Sequence, residues 1–152
     1  MEIEVLKSGE ESVFILNGIN AAIANTIRRL VLDEVPTLAV EEVNLTKNSS
    51  ALYDETVAHR IGLVPLKTDL ETYNLAAKCK CKGEGCARCQ LKFTLKASKG
   101  SGIIYASELK SKDPAVKPVY PKIPIVKLLK GQSLELEATA VLGKGKDHVK
   151  WS

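Results

Sequence analysis

Aromatic side chains are scarce in this chain of 152 residues, at 5%. That is too few to furnish a stacking platform for single-stranded nucleic acid. No apolar run approaches the roughly 18 residues that a membrane helix needs. The opening Met1-Glu2-Ile3-Glu4 is acidic and alternating, without the basic start and apolar block of a signal peptide, so a cytoplasmic protein is expected. The net charge of +4 is mild, with no dense basic stripe of the kind nucleic-acid binders carry. Nothing pairs a nucleophile with a base, the only serine near either histidine in sequence being Ser152, and no acidic cluster has the D-x-D form of a magnesium site. An autonomous enzyme is therefore disfavoured. Cysteine is absent except between positions 79 and 89.

The remaining composition, 45% hydrophobic and 26% charged, is that of an ordinary globular chain. Alternation of Ile3 and Val5 with Glu2 and Glu4, the turn Ser8-Gly9-Glu10-Glu11 and the return Val13-Phe14-Ile15-Leu16 predict a β-hairpin, broken at Asn17-Gly18. A helix follows, with Asn20 as its N-cap and Pro36 as its stop. Ile23, Ile27, Leu30 and Val31 share one face. Covering those side chains is worth about 6–12 kcal/mol as an upper bound. The other face carries Asn25, Arg28, Arg29 and Leu32. It reads either as a solvated surface with one stray leucine or as a second contact surface with forked guanidinium donors.

Leu38 and Val40 have one parity and Val43 and Leu45 the other, so Glu41-Glu42 marks a bulge or a strand changing sheets. Ser49-Ser50 precede a short helix over Leu52 to Ile61, closed by Gly62 and followed by Pro65. Leu91, Phe93, Leu95 and Ala97 line one side of a strand, and Ile103-Ile104-Tyr105 form another. Pro114, Pro118, Pro121 and Pro124 make 111–124 an extended connection. Ile125 to Leu129 and Leu134 to Ala138 are expected to form a hairpin around Lys130-Gly131-Gln132. Gly143 to His148 reads as a flexible basic tail, because Gly-Lys-Gly-Lys-Asp lacks the phosphate-cradling G-x4-G-K-[ST] pattern. The fold class is α+β, a hairpin-plus-helix unit over 1–44 followed by a β-rich unit over 45–152.

Cys79-x-Cys81-x4-Cys86-x2-Cys89, within a loop at 78–90, is the strongest chemical signal. Four thiolates in two close pairs can surround a tetrahedral ion and leave no open position for water, which makes the site structural. Gly83 and Gly85 let the loop turn back, and Lys78, Lys80, Lys82 and Arg88 offset the negative charge. Zinc is the expected ion. An iron–sulfur cluster, unliganded thiols or a redox pair at Cys86-x-x-Cys89 are the alternatives. Glu55 and His59, four apart on a helix, make an incomplete metal pair and are read instead as capping or partner-contact residues.

Three stretches resemble one family. Asn25-Thr26-Ile27-Arg28-Arg29-Leu30, continuing through Asp33-Glu34-Val35-Pro36-Thr37-Leu38-Ala39, is similar to the helix and strand shared by RNA polymerase α-type subunits. Tyr53-Asp54-Glu55 and His59-Arg60-Ile61-Gly62-Leu63-Val64-Pro65-Leu66 resemble that family's second signature. The cysteine run resembles the zinc loop of the archaeal D-type polymerase subunits and their eukaryotic third-subunit counterparts. Ile123 to Leu128, Leu134 to Ala138 and Gly145 to Trp151 are also similar to the archaeal D type, so the chain resembles the N-terminal part of such a protein.

The resemblance implies a dimerisation domain, begun by 1–44 and interrupted by a β-rich insertion domain over 45–152. It implies pairing with a small α-like subunit, the L type of archaea, and docking of the large catalytic subunits near Arg28-Arg29 and His59-Arg60. It implies DNA contact only through the complex, with catalysis on another chain. Members of the family continue past the tryptophan here, so the Ile23, Ile27, Leu30 and Val31 face is expected to need packing from beyond Ser152. The competing functional reading is a free-standing zinc-dependent nucleic-acid-binding module. A thiol oxidoreductase is the third.

Overall fold

The computed structural model describes residues 2–9, 11–81, 84–98 and 102–152. Glu10 of the first turn and Lys82 and Gly83 of the cysteine loop lie outside them. Strands β1 (Glu2–Lys7) and β2 (Val13–Asn17) form an antiparallel hairpin, as their alternation predicts. Helix α1 (Ala21–Glu34) begins where Asn20 Oδ1 accepts the Ile23 N–H at 2.9 Å, and ends one residue before Val35, whose extended backbone is imposed by Pro36.

Strand β3 (Thr37–Asn48) then runs unbroken past position 44. Its register shifts between Val40 and Glu42, the irregularity that the change of parity foretells. Helix α2 (Asp54–Gly62) follows, with Asp54 and Glu55 in its first turn and His59 and Arg60 in its last, matching the helix dipole at both ends. Next come β4 (Gln90–Ala97), β5 (Gly102–Tyr105), the two-residue β6 (Lys110–Ser111), β7 (Pro124–Leu128) and β8 (Leu134–Gly143).

The larger sheet is antiparallel, in the order β3-β8-β4-β6, and β5 pairs with β7 in a separate ribbon. The expected β7–β8 hairpin is not formed. Strand β8 has β3 on one edge and β4 on the other, so both its rows of backbone groups are used and β7 must find a different partner. Gly131, at φ +84°, turns the chain between the two sheets, and Gln132 Oε1 accepts the Leu129 N–H at 2.7 Å.

Burial follows the strand period. Leu91, Phe93, Leu95 and Ala97 of β4 point inward while Lys92, Thr94 and Lys96 stay wet. Leu134, Leu136 and Ala138 face the same core, which Val57 and Ile61 of α2 and Ile125, Val126 and Leu128 of β7 complete. Helix α2 lies between β3 and β7, and Arg60 Nη1 donates to the Ile125 carbonyl at 2.6 Å.

A polar pin ties the loop between α2 and β4 to the proline-rich connection. Tyr73, 4% exposed, donates its hydroxyl to Asp113 Oδ2 at 2.8 Å. Burial first, and the Asp113 carboxylate second, push the phenol up to about 12. A raised folded value stabilises the protein fully below the ordinary phenol value near 10, and that contribution is lost as pH rises from about 10 to 12. Tyr73→Phe is expected to cost about 1 kcal/mol in urea unfolding at neutral pH and to remove that part of the alkaline decline.

Unlike α2, helix α1 has no buried residue, and the β1–β2 hairpin that precedes it has none either. Among the described residues, no helix is long and apolar enough to cross a membrane.

Candidate metal centre and docking face

The cysteine loop is positioned by secondary structure on both sides. A single helical turn, Ala76–Lys78, delivers Cys79, whose N–H donates to the Ala76 carbonyl at 3.2 Å. Cys89, 1% exposed, directly precedes β4, so one ligand position is rooted in the main sheet. Between them the chain doubles back. Glu84 N–H reaches the Cys81 carbonyl at 3.1 Å, the Cys89 and Gln90 N–H groups share the Cys86 carbonyl at 3.0 Å each, and Asn74 N–H donates to the Arg88 carbonyl at 2.8 Å. Gly85, at φ +91°, takes a backbone conformation that a side chain would strain.

The four sulfurs converge, all lying within 4.8 Å of one another. Cys79 and Cys86 Sγ are 3.4 Å apart, Cys81 and Cys89 3.5 Å, and Cys86 and Cys89 3.7 Å. Four sulfurs at about 2.3 Å from one tetrahedral centre stand about 3.8 Å from each other. The spacing therefore fits a single ion held by all four residues. The Cys86 N–H, 3.2 Å from Cys89 Sγ, supplies the backbone donor that a thiolate ligand needs.

The Cys86 N–H draws the Cys89 thiol down, but burial and the adjacent thiols outweigh it and push the group up to about 12. At Cys79 the Cys81 N–H lowers and the Cys86 and Cys81 side chains raise, with a net rise. Thiols packed this closely resist ionising together, and a dication among them would reverse that balance. Lys78, Lys80 and Arg88 stand exposed around the loop.

The second candidate region is α1. Ile23 is 45% exposed, Leu30 51% and Val31 59%, with Ile27 half-buried beside them. On the other face Leu32 is also exposed, Arg28 donates through Nε and Nη2 to Asn25 Oδ1 at 3.2 and 2.9 Å, and Arg29 pairs with Asp33 at 3.6 Å. The adjoining hairpin leaves Ile3, Val5, Leu6, Val13, Phe14 and Ile15 exposed. A 14-residue helix is marginal in water unless its apolar face packs against something, and among the described residues nothing buries this stripe.

His59 and Arg60 lie in the last turn of α2. The Arg60 guanidinium is engaged by the Ile125 carbonyl. His59 lines a cavity of about 250 Å³ with Val40, Glu41, Leu63, His148 and Lys150. The meeting of the chain's two histidines at one cavity has no signal in the sequence, since they are far apart along it.

The basic tail is likewise not free. Lys144 and Lys146 Nζ lie 2.6 and 3.0 Å from the two oxygens of Glu34, and Lys150 pairs with Glu41. The lysines that phosphate binding would use are thus neutralised by carboxylates of the same chain.

Residues 43–152 match the family described as RNA polymerase Rpb3/RpoA insert domain. The chain is 48% identical to DNA-directed RNA polymerase subunit Rpo3 of Methanosphaera stadtmanae, with 99% of this chain and 57% of the relative covered. It is 49% identical to the Rpo3 subunits of Methanosarcina acetivorans and Pyrococcus horikoshii, with 99% of this chain covered in both and 57% and 56% of those relatives. The chain therefore spans a little over half the length of the curated relatives it matches. With the match covering 43–152, well over half of its length, the chain belongs to the RNA polymerase Rpb3/RpoA insert domain family.

Proposed function

We propose that the chain is a non-catalytic assembly part of DNA-directed RNA polymerase. The observation that carries this is the uncovered apolar stripe of α1, Ile23, Ile27, Leu30 and Val31, which with the exposed apolar residues of the β1–β2 hairpin stays outside the buried core of α2 and the sheets. Residues 1–44 begin a dimerisation domain, and 45–152 form the insertion domain that interrupts it. A small α-like subunit of the archaeal L type covers the stripe. Asn25, Arg28, Arg29 and Leu32 on the opposite face, with His59 and Arg60 on α2, meet the large catalytic subunits. DNA is contacted only through the assembled enzyme, in the cytoplasm of an archaeal cell.

Cys79, Cys81, Cys86 and Cys89 hold one structural zinc ion. Support comes from the sulfur spacing, because an iron–sulfur cluster that binds each cysteine to its own iron separates the sulfurs further than 4.8 Å. The ion stiffens the loop ahead of β4 and takes no part in nucleotide chemistry.

Co-expression tests the assignment. The chain produced with a small α-like archaeal subunit is expected to elute as a one-to-one complex carrying zinc. Tight DNA binding by the chain alone, weakening steeply with salt, would instead support a free-standing nucleic-acid module.

A further inference from the structure

Helix α1 ends badly by its own sequence. Its last turn contains no basic residue, and Asp33 and Glu34 place two carboxylates where the helix dipole is already negative and the final carbonyls lack intrahelical donors. The segment 143–152, more than 100 residues away along the chain, corrects these defects. Lys146 N–H donates to the Asp33 carbonyl at 3.2 Å, and Lys144 and Lys146 bring their ammonium groups to opposite oxygens of Glu34. Those two hydrogen bonds, Lys144 first, hold the Glu34 carboxyl below its ordinary value. Gly145 passes so close to the Leu32 carbonyl that a Cβ there would collide with it.

The segment is fastened at its other end to the sheet. Thr37 Oγ1 donates to the Trp151 carbonyl at 2.7 Å, and Trp151 Nε1 donates to the Val141 carbonyl at 3.3 Å. The Trp151 indole lies against Gly143, where any side chain would displace it. Lys150 pairs with Glu41 and sits 4.4 Å from the Trp151 ring centre.

We propose that residues 143–152 form a clasp that fixes the angle between α1 and the main sheet, with Glu34 as the positioning residue on which it closes. The clasp presents the α1 docking stripe in one orientation, so the partner does not have to order the helix when it binds. This rests on the docking reading given above. Among the described residues, the cations that pair with Glu34 both come from this segment.

The test uses the full-length protein and a purified small α-like subunit. Glu34→Gln keeps shape and removes charge. The triple variant Glu34→Lys, Lys144→Glu, Lys146→Glu reverses the pair. In Glu34→Gln, amide hydrogen exchange over 30–34 is expected to quicken about tenfold and partner affinity to fall about fivefold, with the thermal midpoint of the sheet unchanged. The reversed variant is expected to restore both. Unchanged exchange, or faster exchange with unchanged affinity, overturns the clasp, as does a reversed variant that restores neither. If the unaltered protein fails to bind the small subunit, the docking reading falls, and the exchange measurement alone decides whether the clasp holds α1.

Discussion

Replacing Cys89 by serine is expected to abolish the proposed stoichiometric zinc binding and to free the loop from Ala76 to Cys89, because this position would be both a ligand and the root of the loop in the sheet. The loop has little apolar packing of its own. It is held by a few backbone hydrogen bonds and by the convergence of four sulfurs. A structural zinc site contributes about 10–16 kcal/mol to ordering short peptides, and an ion held by these four cysteines would spend it on one segment adjoining β4. The variant, or the chelated parent protein, is expected to lose about 10 °C or more from its thermal midpoint. It should also be cut by protease within residues 76–90 while amides of β3, β4 and β8 remain protected. Metal analysis, limited proteolysis and hydrogen exchange on one sample check this. A chelated protein with an unchanged midpoint and an intact loop would mean that the four thiols need no ion.

Introducing charge on α1 has a large effect of a different kind. Leu30 and Val31 are more than half exposed in the free chain, so Leu30→Glu with Val31→Glu is expected to change its stability by no more than about 0.5 kcal/mol. In the proposed complex the same positions would become buried, and two carboxylates there would lie in an apolar interface. Association with the small α-like subunit is then expected to weaken by about 100-fold or more, as at other buried anchor positions. The contrast between the two readouts is the point. A stripe that belonged to the core would lose stability first, and one that merely faced solvent would lose neither. Titration calorimetry beside urea unfolding of the same variant separates these outcomes.

Local chemistry made much of the molecule legible in advance. Asn20 and Pro36 bracket α1 through contacts within a few residues, and the alternation from Leu91 to Ala97 fixes which side of β4 is buried. The change of parity at Glu41-Glu42 betrays the irregularity in β3, and the cysteine spacing gathers four ligands because the loop that joins them is short. Pairings between distant residues were not legible. The turn at Lys130-Gly131-Gln132 has hairpin chemistry, but whether the flanking strands pair depends on β3 and β4, which occupy both edges of β8. The lysines of the last ten residues read as a free basic tail because Glu34 and Glu41, their partners, lie about 110 positions earlier. Trp151 gave no hint that it would rest on Gly143, nor Tyr73 that Asp113 would accept its hydroxyl.

The central claim is that α1 offers a face to a second subunit while the cysteine loop holds an ion that only stiffens. Native mass spectrometry of the complex isolated from cells, with metal analysis of the same fraction, addresses both halves at once. The account predicts one copy of this protein, one small α-like subunit and one zinc ion in a particle that also contains the large polymerase subunits. A compact, partner-free protein that binds nucleic acid or turns over a disulfide substrate by itself would contradict it.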